Sequence, residues 1–237
     1  MTDDDRDPLA DLNASPLNPL PGVIWLVLLV ILGIEAVLWA GGAGLVGGPQ
    51  AVGWRIETIQ RFAFSSGIQD WMLQNWRFPT QHLIRYFSFN FIHGTPMHAL
   101  FGVVLVAALG KTVAESFGAA RFVVLVLVAP LMGAAIFGLI TRADHLGWLF
   151  GAMPMAFALV GAFTWIKWRE AAGDRTKQRR AFAMIGILVL ARLAFGLLAE
   201  AGPAWIAEVA SFALGFAGSA LVLGPGSWAR LRERICG

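Results

Sequence analysis

The residues that could do acid–base or nucleophilic chemistry in this chain are few. There are four histidines, His82, His93, His98 and His145, and one cysteine, Cys236, next to last in the sequence. A general base working near neutral pH must come from the histidines, and a nucleophile must be a serine or the thiol held against one of them. His93 and His98 are five residues apart, so on a helix they do not share a face as an i, i+4 pair would. No histidine spacing marks a metal or haem ligand set, and no cofactor is expected. His93 and His98 read as hydrogen-bonding to neighbouring backbone, while His82 and His145 fall in connecting segments. Ser88 and Ser116 sit at helix ends and read as cap or turn residues. Ser211 lies inside an apolar run, and a Ser211–His98 pair across a bundle is the nucleophile–base combination left open. The simpler reading makes Ser211 a small packing residue bonded to its own helix backbone. One thiol cannot form an internal disulfide.

The elements that must position these residues are membrane helices. The chain is 57% hydrophobic and only 14% charged, with a mean hydropathy of +0.67, too little polar surface for a soluble domain of this length. Apolar runs able to cross a bilayer need about 20 residues, and six are expected, at 23–45, 93–110, 122–140, 146–168, 182–200 and 205–223. Short connections between the later runs imply one compact all-α integral membrane domain over 22–224. It is flanked by an acidic, proline-rich tail at 1–21, expected to be disordered, and a basic tail at 225–237. Lys167, Arg169, Arg175, Lys177, Arg179 and Arg180 lie in the loop from 167 to 180 at the end of the fourth run, Lys111 and Arg121 follow the second, and Arg230, Arg232 and Arg234 lie in the tail. With six spans this bias puts both termini in the cytoplasm. The net charge of +3 reflects that topology, and without a Lys/Arg-rich soluble domain nucleic acid is not an expected partner.

Two intramembrane charges stand out. Arg192 lies midway along the fifth run and Glu35 inside the first, each costly in lipid unless paired or wet. They are expected to pair with each other, or Arg192 to reach Glu200 or Glu208. The segment from 46 to 85 mixes Trp54, Phe62, Phe64, Trp71, Trp76 and Phe78 with Arg55, Arg61, Arg77 and Arg85. Tryptophan rings and guanidinium groups suit the headgroup layer, so this first external loop is expected to lie at the interface. Gly133 and Gly138, Gly151 and Gly161, and Gly215 and Gly218 fit close helix packing.

Separated segments resemble the rhomboid family of intramembrane serine proteases. Arg85-Tyr86-Phe87 followed by His93-Gly94-Thr95-Pro96-Met97-His98 is similar to the start of that family's second helix. Gly110-Lys111-Thr112-Val113-Ala114-Glu115-Ser116-Phe117-Gly118 resembles its turn into the third. The stretch 151–161 matches the spacing of its Gly-x-Ser-Gly helix, 211–218 resembles its sixth helix, and Trp76-Arg77 looks like a Trp-Arg pair of its first loop. The resemblance implies a six-helix bundle with an interfacial first external loop. It also implies a site whose chemistry is missing here: Met153 stands at the serine position, Pro154 at the following glycine, Ser211 at the histidine of the sixth helix and Gly102 at the asparagine, while His98 is retained. Methionine has no proton to give and no useful nucleophilicity, and Pro154 removes a backbone N–H of the kind that builds oxyanion holes.

By resemblance this is expected to be a pseudoprotease. It binds lipid bilayer and the transmembrane helices of other proteins, as adaptor, assembly factor or subunit, through a groove between the second and fifth helices. His93, His98, Met153, Pro154, Arg192 and Ser211 are its expected packing or client-contact residues. A structural subunit of a larger complex and an active protease with relocated residues are the alternatives. A bacterial inner membrane is the expected setting.

Overall fold

A computed structural model describes residues 20–142, 147–183, 185–187, 190 and 202–222. The fold is mostly helical, and among the described residues three helices are long and apolar enough to cross a membrane. These are α1 (Gly22–Gly42), α6 (Pro96–Phe117) and α7 (Ala119–Ile140). Two further apolar helices pack with them, α8 (Met153–Glu170) and α10 (Trp205–Val222). Between α1 and α6 run a turn of 3-10 helix at Pro49–Gly53, α2 (Trp54–Phe62), α3 (Ser66–Asn75), α4 (Thr80–Leu83) and α5 (Arg85–Ser88). A second 3-10 turn, Phe89–Phe91, leads toward α6. Strands β1 (Phe64–Ser65) and β2 (Trp148–Leu149) pair antiparallel, Phe64 opposite Leu149. A short basic helix, α9 (Arg175–Ala181), follows α8.

The core is where α1, α6, α7 and α8 meet. Ile24, Ile31, Val106, Phe122, Met155 and Leu159 are buried there. A second cluster, with Phe64, Phe89, Phe137 and Leu149, joins the strand pair to α7. Helix α8 is buried on nearly every side through its middle, as a central helix ringed by others must be. It meets α10 with almost no side chain between them. A Cβ on Gly161 would stand 2.2 Å from the Phe212 carbonyl oxygen, and one on Gly215 2.1 Å from that of Ala158. Without a hydrophobic drive between helices in lipid, such approaches supply the packing attraction.

Several expected boundaries move. The second long helix begins at Pro96, not at 93. Thr95 accepts the His98 N–H (3.1 Å) as its cap, and Pro96 takes the first helical position, where a missing N–H costs nothing. His93 is therefore a loop residue. The run 110–118 is not a turn: helix continues to Phe117 and the chain reverses at Gly118, whose φ of 82° suits glycine. Lys111 accordingly lies within α6, 3.7 Å from Glu115 one turn on. The fourth expected run shortens to Met153–Glu170, because Trp148–Leu149 is drawn out as strand. Most of the fifth run, with Arg192 and Glu200, and His145, just before the fourth run, lie outside the described residues, as do most of the tails at 1–21 and 225–237.

Candidate functional site

The site assembles where the loop before α6 meets the turn into α8. The Phe89 carbonyl accepts the Gly151 N–H (2.8 Å). His93, 1% exposed, accepts the Ala152 N–H on Nε2 (3.1 Å). Its own carbonyl accepts from the Arg55 guanidinium (2.8 Å), and the same guanidinium grips both carboxylate oxygens of Glu35 (2.6 and 3.0 Å). One chain of contacts thus ties α1, α2, the loop at 93 and the start of α8. Glu35 pairs with Arg55, a partner the sequence reading did not name, while the expected pairings of Arg192 lie outside the described residues. The first helix reaches the nearest fixed cation, an arginine of the following segment, and the fork geometry of guanidinium matches a carboxylate.

Because Nε2 accepts, neutral His93 carries its proton on Nδ1. Burial pushes its pKa down to about 4, helped by positive charge at His98 and Arg55 and opposed by the Phe91 carbonyl. His93 and His98 do meet, edge to face, with ring centroids 5.1 Å apart. Five residues permit this because His93 precedes the helix while His98 sits in its first turn. The expectation of bonding to neighbouring backbone becomes, for His93, a bond to backbone 59 residues away.

The His98 ring also packs on Phe150 (6.2 Å between centroids) and against Gly151. Gly151 has φ 104°, and a Cβ there would stand 2.5 Å from the imidazole. A side chain is thus excluded both by conformation and by the ring. Gly102, one turn beyond His98, faces the same joint. A Cβ there would be 2.9 Å from the Cβ of Ala152 and 3.4 Å from Nε2 of His93, so an asparagine at 102 would require Ala152 to move away.

Met153 opens α8, half-buried, with Pro154 buried behind it. Of the backbone donors at 151–154, that of Gly151 is given to Phe89 and that of Ala152 to His93, Pro154 has none, and that of Met153 is not used in these bonds. Ser211 is elsewhere. It is fully buried on α10 against α7, and a Cβ on Gly133 would lie 2.2 Å from its Oγ. Among the described residues the Ser211 hydroxyl has no hydrogen-bond partner, so it is not bonded to its own helix backbone, nor to His98. Ser219 behaves as Ser211 was expected to, donating to the Gly215 carbonyl (2.6 Å). Gly138 is also filled from outside, by the Gln69 amide.

The expected interfacial residues lie on a segment pinned from beneath. Arg85 donates to the carbonyls of Ala63 and Gln60 (2.8 Å each). Ser88 ends α5 and holds the N-cap position of the 3-10 turn that follows, as expected, but its hydroxyl donates to the Phe62 carbonyl (2.7 Å) and makes no cap bond. Tyr86 donates to Gln69 (2.7 Å), which donates in turn to the Ala135 carbonyl of α7 (3.0 Å). Trp71 is partly exposed and meets His82 edge-on; Trp76, 82% exposed with φ 50°, caps α3, and Arg77 follows it to the surface. Sequence reasoning missed Gln69 and the joining roles of Arg55 and Phe89. For Arg55 a signal existed: an intramembrane Glu35 needs a cation, and Arg55 is 20 residues on.

Residues 80–225, more than half of the chain, match the model of the Rhomboid domain. A stretch of 109 residues is 27% identical to "Rhomboid protease GlpG" of Salmonella choleraesuis (strain SC-B67), covering 46% of this chain and 36% of that protein.

Proposed function

The chain belongs to the rhomboid family, and we propose that within it this protein is a non-catalytic member that holds transmembrane helices of partner proteins, as adaptor, assembly factor or subunit. The observation that carries the reading is the turn at 151–154. Met153 offers no nucleophilic atom there; the Gly151 and Ala152 N–H groups are already bonded and Pro154 has none to give, which leaves the Met153 N–H as the one backbone donor of the turn not spent on these bonds. Acyl transfer needs an activated nucleophile and free donors aimed at the developing oxyanion. Ser211, at the position of the base, cannot take a proton near neutral pH. A half-buried methionine at the start of α8 instead suits adaptable contact with varied side chains. The placement proposed is an integral membrane protein of a bacterial inner membrane with both termini cytoplasmic. Fold alone does not carry proteolysis across such a replacement, although the relative's printed name is that of a protease.

The test is a gentle-detergent purification of the intact protein with mass spectrometry of what accompanies it, repeated on a Met153→Trp variant that adds bulk at the start of α8. An uncleaved membrane protein retained in fixed stoichiometry and lost from the variant supports the reading. A partner recovered only as cleaved fragments overturns it.

A further inference from the structure

At the far end of α8 lies a feature that the proposed function does not use. Between the last turns of α8 and α9 a surface cleft of about 410 Å³ is lined by Phe163, Lys167, Glu170, Lys177 and Arg180. The segment 167–180 carries Lys167, Arg169, Arg175, Lys177, Arg179 and Arg180 against Glu170 and Asp174, a net of +4. The two local carboxylates, each within 4 Å of a lysine, offset only part of the positive charge. Glu170 holds Lys167 (2.7 Å), and Asp174 spends its oxygen on the N–H groups of Thr176 and Lys177 (2.9 and 3.1 Å) as the cap of α9, with the Lys177 ammonium 3.7 Å away. Arg180 has no carboxylate partner among the described residues and is exposed.

The side chains around the cleft are those of a membrane boundary. The cleft sits just past the buried run of α8, at Trp165 and Trp168, and Arg169 lies over the Trp165 ring (5.8 Å to its centroid). Aromatic and cationic side chains together mark the headgroup layer. One wall is apolar, with Lys167 over the Phe163 ring (5.7 Å), and beyond α9 Phe182, Ile187 and Leu190 are exposed. A ligand suited to this cleft is anionic at one end, to meet Lys167, Lys177 and Arg180, and apolar at the other. Basic pockets at the ends of membrane helices bind lipid phosphates in this way.

We propose that this cleft seats the phosphate headgroup of an anionic phospholipid, its acyl chains running along the apolar wall. Glu170 competes with the phosphate for Lys167.

The experiment uses the full chain in neutral detergent, with native mass spectrometry after exchange into micelles doped with phosphatidylglycerol or with phosphatidylcholine, and with inorganic phosphate as competitor. Phosphatidylglycerol is expected to remain bound at least tenfold more than phosphatidylcholine. Lys167→Gln/Lys177→Gln/Arg180→Gln should remove that preference, while Arg175→Gln, outside the cleft, should keep it. Glu170→Gln, which frees Lys167, should strengthen retention several-fold. A triple variant that loses its melting transition is replaced by the Glu170→Gln result, which must then rise. Equal retention of the two lipids, a preference unchanged in the triple variant, or weaker binding by Glu170→Gln would overturn the proposal. Displacement of the lipid by inorganic phosphate at equal concentration would show a site for free phosphate and overturn the lipid assignment.

Discussion

The joint at His93 and the contact at Ser211 handle buried polarity in opposite ways. At the joint the charges and Nε2 of His93 are engaged, Glu35 by Arg55, Arg55 by the His93 carbonyl and Nε2 by the Ala152 N–H, and only Nδ1 of the His93 ring lacks a geometric hydrogen bond among the described residues. At the contact between α10 and α7 a single hydroxyl is pressed against Gly133 with no hydrogen bond among the described residues. The joint holds four segments by directed bonds, whereas the contact holds two helices by closeness. A residue can therefore leave the contact cheaply but not the joint, because stranding a buried charge or donor costs far more than deleting an unbonded one.

The largest effect is expected at Arg55. Arg55→Ala strands the Glu35 carboxylate and should cost about 3–5 kcal/mol, read as loss of melting temperature in detergent. Glu35→Gln in the same chain should recover part of it. An Arg55→Ala variant as stable as the parent would break the joint side of the comparison.

Next is pH. The folded pKa of His93, about 4, lies below its ordinary value of 6.5, so as pH falls the unfolded chain takes the proton first. The stability given by neutral His93 is complete above about pH 6.5 and is lost as pH falls toward about 4, some 3 kcal/mol in all. His93→Gln, which keeps an acceptor without titrating, should flatten stability against pH in that window; an unchanged slope would show that other groups carry it.

Smaller is Gly133→Ala, which overpacks the contact and should cost about 1–3 kcal/mol. Much of that should be recovered by Ser211→Ala in the same chain, since the added methyl meets the Ser211 hydroxyl first, the Ala207 carbonyl accounting for the remainder. Smallest is Ser211→Ala alone. Removing an unbonded buried hydroxyl should leave stability within about 0.5 kcal/mol or raise it. A loss above about 2 kcal/mol would mean that Ser211 has a bonded role and that the two regions do not differ as described.

Much of this was legible in the residues. The long apolar runs of α1 and α7 and the apolar stretch of α10 announce themselves, and the types at 102, 153, 154 and 211 can be read directly. Other features were not. The apolar run from 93 hid the start of α6, although Thr95-Pro96 is a cap followed by a first-turn proline. That misplacement separated His93 from His98, which in fact touch. The partner of Glu35 depends on how the segment after α1 folds back, and whether the N–H of Ala152 is free depends on an imidazole 59 residues away. Spacing along one chain carries neither fact.

The most direct test of the central claim is cleavage of a model transmembrane substrate by the full chain reconstituted in liposomes, beside its His98→Ala and Ser211→Ala variants. A non-catalytic protein leaves the substrate intact in all three. Cleavage by the parent chain that either substitution abolishes would contradict the account.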